Sequence, residues 1–200
     1  MRQTSGDGKT AQGGGKPAAK MEEDRESFEA AERFLQVIED NKNWGKAIPH
    51  ARIIQASKQQ TTVELDVTKD LTNMNGVLHG GACATIIDVY TSLAIAPTAT
   101  TDFWSRLGVT LTLSLITHSP APEGCTIVIK SKILRQTKRT ASIDCEITDK
   151  KTGKLIATGT HIKVDPLSGN LSRRVEFLVT LSSKGRPCRH EILTQCVAFS

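Results

Sequence analysis

Aromatic residues are scarce in this chain, with one Tyr, two Trp and five Phe among 200 residues. That leaves no set of aromatic and basic side chains of the kind that stacks single-stranded nucleic acid. Five cysteines (Cys83, Cys125, Cys145, Cys188, Cys196) are odd in number and have no CxxC spacing. They suit a reducing compartment better than a disulfide framework, and they offer no zinc site. The five histidines are equally dispersed; neither a metal nor another cofactor is expected. No run of apolar residues approaches the eighteen or so of a membrane span, and none opens the chain as a secretory signal would.

Charge of one sign is missing where it would matter. The formal net charge is +5, yet residues 1–20 carry +3, residues 166–200 carry +3, and residues 21–165 carry −1. The basicity belongs to the two ends, and nucleic acid is not an expected partner. Residues 1–20, with Gly13, Gly14, Gly15 and Pro17, suit a mitochondrial targeting helix poorly and read as a disordered tail. The compartment stays open between cytoplasm and mitochondrion.

Hydrophobic periodicity supplies the elements. Phe28, Ala31, Leu35 and Ile38 make one apolar stripe on a helix over 21–40. Short β-type runs follow at 51–57 and 62–67, then a loop rich in Asn and Gly over 70–81. Residues 82–95 are apolar on nearly every side, which predicts a helix surrounded by other structure. Four strand patterns follow at 107–116, 125–135, 140–148 and 155–164, with short connections that predict a four-stranded antiparallel meander. The expected class is α+β, a curved antiparallel sheet wrapped around one central helix. Phe103 and Trp104 read either as pocket lining or as a hydrophobic loop tip.

Asp88 stands out because it sits inside that apolar helix. A buried carboxylate must be paired, protonated or turned to a cavity. It could be a structural group bonded to a neighbouring strand, or a general base. The loop before the helix ends in His79-Gly80-Gly81. Glycines at a helix start let a ligand approach unpaired backbone N–H groups at the positive end of the dipole, which would suit a carbonyl oxygen that develops negative charge. A tight turn needing glycine, with His79 as its cap, explains the same residues. Gly80 and Asp88 are eight residues apart, about 12 Å along one helix. If both serve one reaction, they come from different subunits across a two-fold axis.

The stretch NMNGVLHGGACATIID over 73–88 resembles the phenylacetate-type hotdog thioesterases, particularly the thioesterase superfamily member 2 group. GVTLTLS at 108–114, SPAPEG at 119–124 and TGKLIATG at 152–159 continue the resemblance, which spans roughly 45–165 in order. It implies a hotdog fold, a cofactor-free acyl-CoA thioesterase, and a homodimer with assembly to a tetramer also open. It implies Asp88 as general base, with Gly80 N–H and Asn73 polarising the thioester carbonyl and His79 supporting that loop or touching the carbonyl. Thr110 stands where the family commonly has a serine, and so would position water. Gly81, Lys132, Arg135, Lys138 and Arg139 would contact substrate, the four basic residues meeting the phosphates of coenzyme A. A non-catalytic acyl-CoA-binding module is the alternative. A hydratase or dehydratase is a weaker one, because the first histidine after Asp88 is His118, thirty residues on. Residues 166–200 exceed the resemblance and read as a poorly ordered extension, which leaves 21–165 as the expected domain.

Overall fold

The computed structural model describes residues 16–40 and 51–166. The expectations for 1–15, 41–50 and 167–200 lie outside those residues. Helix α1 (Lys16–Asp40) packs along strand β1 (Arg52–Ser57) and begins five residues before the expected start. Its stripe buries Ala31 and Leu35 and half-buries Phe28, Phe34 and Ile38, while the acidic and basic residues of the other face stay in water. Strand β2 (Gln60–Asp66) pairs with β1. Helix α2 (Gly80–Leu93) is the central helix, and β3 (Val109–Thr117), β4 (Thr126–Gln136), β5 (Thr140–Asp149) and β6 (Leu155–Val164) complete the set.

All six strands form one antiparallel sheet in the order β1-β2-β4-β5-β6-β3. This corrects the predicted meander. Only β4, β5 and β6 follow one another as neighbours; β3 pairs with β6 and ends one edge of the sheet. Short connections favour adjacent pairing. Here the link from β3 to β4 is instead carried across to α2, where Leu78 N–H donates to Ala121 O at 2.8 Å and Val77 bridges Pro122.

The inner face of the sheet wraps α2. Ile127, Ile129, Cys145, Ile147 and Ala157 bury against Cys83, Ile86, Ile87, Tyr90 and Leu93 of the helix. Each fully buried Ile or Leu contributes about 1.5–3 kcal/mol of transfer free energy, so the helix is held mainly by this face. By length and apolar content the segment Gly80–Thr98 could cross a membrane, but half of it is buried inside the sheet as the core helix. Strand β6 comes close to α2 at Gly159, where an added Cβ would lie 2.9 Å from both Ile87 Cδ1 and Ser114 O.

Trp104 is neither pocket lining nor loop tip. It is wholly buried in a second cluster with Ala94, Ile95, Leu107, Ala141 and Ile143. Its backbone N–H donates to Asp165 Oδ2 at 3.0 Å, and its indole N–H donates to Thr137 O at 2.8 Å. Those bonds hold it at φ +53°, a left-handed conformation that a bulky residue keeps only under such constraint.

Candidate active site

Two groups of polar residues meet α2, one at its start and one past its middle. At the start, residues 73–79 turn tightly. Asn73 N–H donates to Val77 O, Asn73 O accepts from Gly76 N–H, and Asn73 Oδ1 accepts from Asn75 N–H, each at 2.9 Å. Gly76, at φ +70°, supplies the left-handed residue the turn needs. His79 is the N-cap of α2, and its Nδ1 accepts from Gly81 N–H at 2.9 Å.

The two glycines therefore differ in purpose. A Cβ at Gly81 would stand 3.1 Å from His79 Nδ1, so the cap itself favours glycine there. A Cβ at Gly80 would meet nothing within 4 Å, and the fold of the subunit gives no steric reason for its being glycine. Gly80 N–H has no hydrogen-bond partner among the described residues and is exposed. It opens into a cleft of about 390 Å³ lined by Asn73, Gly80, Cys83, Thr117, His118 and Ile156, among others. Burial pushes the Cys83 thiol up to about 11, so that side chain stays protonated and is no nucleophile.

The second group is built on Asp88. Its carboxylate is 37% exposed, paired on one oxygen and open on the other. Oδ1 accepts from Thr110 Oγ1 at 3.1 Å and lies 3.5 Å from His161 Nε2. Thr110 Oγ1 is also 3.0 Å from His161 Nε2, and His161 Nδ1 is 2.6 Å from Thr91 Oγ1. Burial, then the neighbouring charge of Lys163, lowers His161 to about 4 against the opposing pull of Asp88, so the imidazole is neutral near pH 7. Thr91 O–H donates to Ile87 O at 2.6 Å, so its oxygen accepts Nδ1–H of the ring, and Thr110 O–H donates to Asp88 Oδ1, which leaves Nε2 of the neutral ring without a hydrogen.

A slip in register makes this possible. Thr110 opposes Lys163 and Thr112 opposes Ile162, which leaves Leu111 with no opposite residue. Without that bulge the inward faces of Leu113 and Leu115 would put Thr110 on the outer side. With it, Thr110 turns in to Asp88 and Leu111 is 63% exposed.

The structure thus brings Asn73, His79, Gly80 and Gly81 together, and separately Asp88 and Thr110. Within one subunit it does not join the two groups. The four basic residues also divide. Lys132 and Arg135 oppose Asp144 and Ser142 on the outer face of the sheet, away from α2, while Lys138 and Arg139 form the β4–β5 turn. That turn sits beside the end of β6, where Asp165 N–H donates to Arg139 O at 2.9 Å, on the same side of the sheet as Thr110. Sequence reasoning missed His161, Lys163, Thr91 and Ser92. The available signal was parity: His161 and Lys163 share alternation with the buried Ala157 and Gly159, so both had to face inward. Among the described residues no three His, Cys, Asp or Glu side chains could hold a metal.

Residues 75–156 match the thioesterase superfamily. Human acyl-coenzyme A thioesterase 13 is 31% identical over 129 residues, 64% of this chain and 89% of that protein. The chain belongs to the thioesterase superfamily. Mouse thioesterase superfamily member 2, a solved structure, is 30% identical with a TM-score of 0.60, covering 67% of this chain and 96% of that one. The Escherichia coli PaaI protein, at 18% identity, has the same fold with a TM-score of 0.60 over 73% of this chain. The hotdog fold of this thioesterase-superfamily chain is therefore the one implied by residues 73–88, and its six-stranded sheet around α2 is that fold's architecture.

Proposed function

We propose that this chain hydrolyses acyl-CoA thioesters to a carboxylate and free CoA at a site shared by two subunits. The observation that carries the reading is the separation of two complementary half-sites, one at the start of α2 and one past its middle. Gly80 N–H, unpaired at the positive end of the helix, suits the carbonyl oxygen of a thioester as it gains charge. Asn73 spends its Oδ1 on the turn, and its amide nitrogen has no partner among the described residues, so it is available to the same oxygen. Asp88 Oδ2 is free to take a proton from water while Oδ1 stays fixed by Thr110. The attacking water forms a C–O bond, its proton goes to Asp88, and collapse expels the CoA thiolate, which is reprotonated.

Strand β3 supports how the halves meet. It is an edge strand, and it exposes Val109, Leu111 and Ile116, the last two at 63% and 61%. Antiparallel pairing with its own copy about Leu113 would set Thr110, at one end, against Ile116 of the twin, next to that copy's Thr117 at the other. Thr110 bonds Asp88, and Thr117 lines the Gly80 cleft. Each copy would then supply the base to its partner's carbonyl site. Lys138 and Arg139, at the sheet end beside Thr110, are the better candidates for CoA phosphates. Lys132 and Arg135 on the outer face are less well placed for a ligand reaching α2.

A hydratase using histidine directly is disfavoured for a reason other than sequence distance. His161 does stand beside Asp88, but its side chain is wholly buried and reaches a substrate only through Thr110 and Asp88.

The decisive test mixes two inactive variants, Asp88→Asn and Gly80→Ala, and measures thiol release from acyl-CoA. In random dimers, half are mixed and each mixed dimer has one intact site of two, so about a quarter of wild-type activity should return. No recovery after verified exchange would refute a shared site.

A further inference from the structure

Lys163 is 1% exposed, deeper than any other lysine among the described residues. It lies on the inner face of β6 between Thr110 of β3 and Ala141 of β5. Its Nζ donates to Ser92 Oγ at 2.6 Å, and no carboxylate lies within 4 Å of it among the described residues. Ser92 Oγ in turn donates to the backbone carbonyl of Asp88 at 2.7 Å. Thr91, one residue earlier, is bonded both to that turn of α2 and to His161. Two residues of one strand, His161 and Lys163, thus grip the helical turn that carries Asp88. Burying an ammonium without a counter-charge costs several kcal/mol, and an apolar side chain of similar length would fill the space without that cost.

We propose that Lys163 is a positioning residue for Asp88, fixing through Ser92 and the neighbouring His161 the helical turn that carries the carboxylate and the hydrogen bonds around it. The proposal rests on the reading that Asp88 is the base. The groups facing His161 are Asp88, Thr91 and Ile87 from α2, Thr110 and Leu113 from β3, Ile143 and Cys145 from β5, and Lys163 from its own strand. Of these only Asp88 and Lys163 carry charge, since burial pushes the Cys145 thiol up to about 12. A cation at Lys163 opposes a second cation on the imidazole. The neutral ring has one N–H, which Thr91 Oγ1 accepts while donating its own hydrogen to Ile87 O, so Nε2 carries no hydrogen toward Thr110 and Asp88. A doubly protonated ring would instead pair with Asp88 Oδ1 across 3.5 Å and weaken it as a base.

The test uses the full chain with Lys163→Met, which removes charge and donor, Lys163→Gln, which removes the charge and keeps a donor to Ser92, and Lys163→Arg, which keeps the charge. NMR titration of His161 needs no activity and is run beside kcat and KM for acyl-CoA from pH 5 to 9. In the Met and Gln variants the His161 midpoint should rise from about 4. The acid limb of kcat should move up with it, with a loss of about tenfold near pH 6 and unchanged KM. The Arg variant should restore both. An unmoved His161 midpoint, or a midpoint that moves while the kcat profile stays wild-type, would overturn the proposal. If the wild-type chain releases no thiol from any acyl-CoA, the thioesterase reading fails, whereas the His161 titration still decides whether Lys163 controls the chain. If the Met variant does not fold, the Gln variant carries the test.

Discussion

Acidifying the protein from pH 7.5 to 5 should cost stability through one side chain. His161 titrates near 6.5 in an unfolded chain and near 4 in the fold, where burial first and Lys163 second disfavour its charged form. Its folded value is depressed, so the unfolded chain binds more protons across this window. Stability is complete above pH 6.5 and is lost as the pH falls toward 4. The gap of roughly 2.5 units corresponds to about 3 kcal/mol in full, of which about 2 kcal/mol is spent by pH 5. For a domain of this size that lowers the melting temperature by about 8 °C. Asp66 and Asp149, held below the usual carboxylate value by Arg52 and by Thr152, contribute only under pH 3.8, so the window belongs to His161. The assay is thermal melting by circular dichroism at both pH values for the wild type and for His161→Gln, which keeps hydrogen-bonding groups for Thr91 and Thr110. The variant should start lower and lose far less on acidification. Equal melting of the wild type at pH 5 and 7.5, or an equal loss in the variant, would refute the assignment of a buried neutral imidazole.

Asp88→Asn keeps an acceptor for Thr110 but no base, so kcat should fall by about 10²–10⁴ with KM within a few-fold, measured by thiol release. Gly80→Ala should melt at or above the wild type, by up to about 1 kcal/mol of helix propensity, and still lose turnover, because its methyl meets nothing in the subunit and stands where the carbonyl must approach. Gly81→Ala should be destabilised instead, by about 0.5–2 kcal/mol, as the methyl displaces the His79 cap. Trp104→Ala should cost about 3–5 kcal/mol in chemical denaturation, from the cavity in the second cluster and the loss of the bond to Thr137.

Much of this architecture is legible in local pattern. The alternation of Ala141, Ile143, Cys145 and Ile147 gives β5 its buried face, and the all-round apolar character of residues 82–95 gives a helix inside the fold. The loop with its glycines and Asp88 can be picked out because a carboxylate in that helix needs a reason. What escaped depends on pairing between distant residues. The place of β3 beside β6 rests on contacts some fifty residues apart, and no short-range signal encodes them. In β3 the apolar residues 109, 111, 113 and 115 read as one continuous face. The bulge at Leu111 breaks that face and turns Thr110 inward, a change of phase invisible to a count of alternation. His161 and Lys163 looked like scattered polar residues because their partners, Thr91 and Ser92, lie seventy residues away. The four basic residues looked like one cluster because sequence distance ignores the pleat, which sends Lys132 and Arg135 to the outer face.

An open β-edge bearing Leu111 and Ile116 is ordinarily a route to aggregation, and proteins blunt such edges with charge, proline or a covering element. Residues 109–117 hold neither charge nor proline, and no described strand or helix pairs with that edge. The edge is instead next to both half-sites, with Thr110 at one end and Thr117 at the other. Pairing with a second copy would satisfy its backbone groups and cover its apolar side chains in the same event that brings Asp88 to a foreign Gly80. It would also exclude water from a carboxylate that is 37% exposed alone, strengthening the interactions that stabilise charge on the carbonyl. Under this reading an isolated subunit is fully folded and catalytically idle, because no movement within it can close eight helical residues. Substituting Leu111→Lys together with Ile116→Lys, both exposed on the free edge, should therefore abolish thiol release in step with the loss of dimer seen by sedimentation, and His161 should keep its low titration midpoint. Activity that survived in a monomer would mean that the two half-sites are not parts of one reaction.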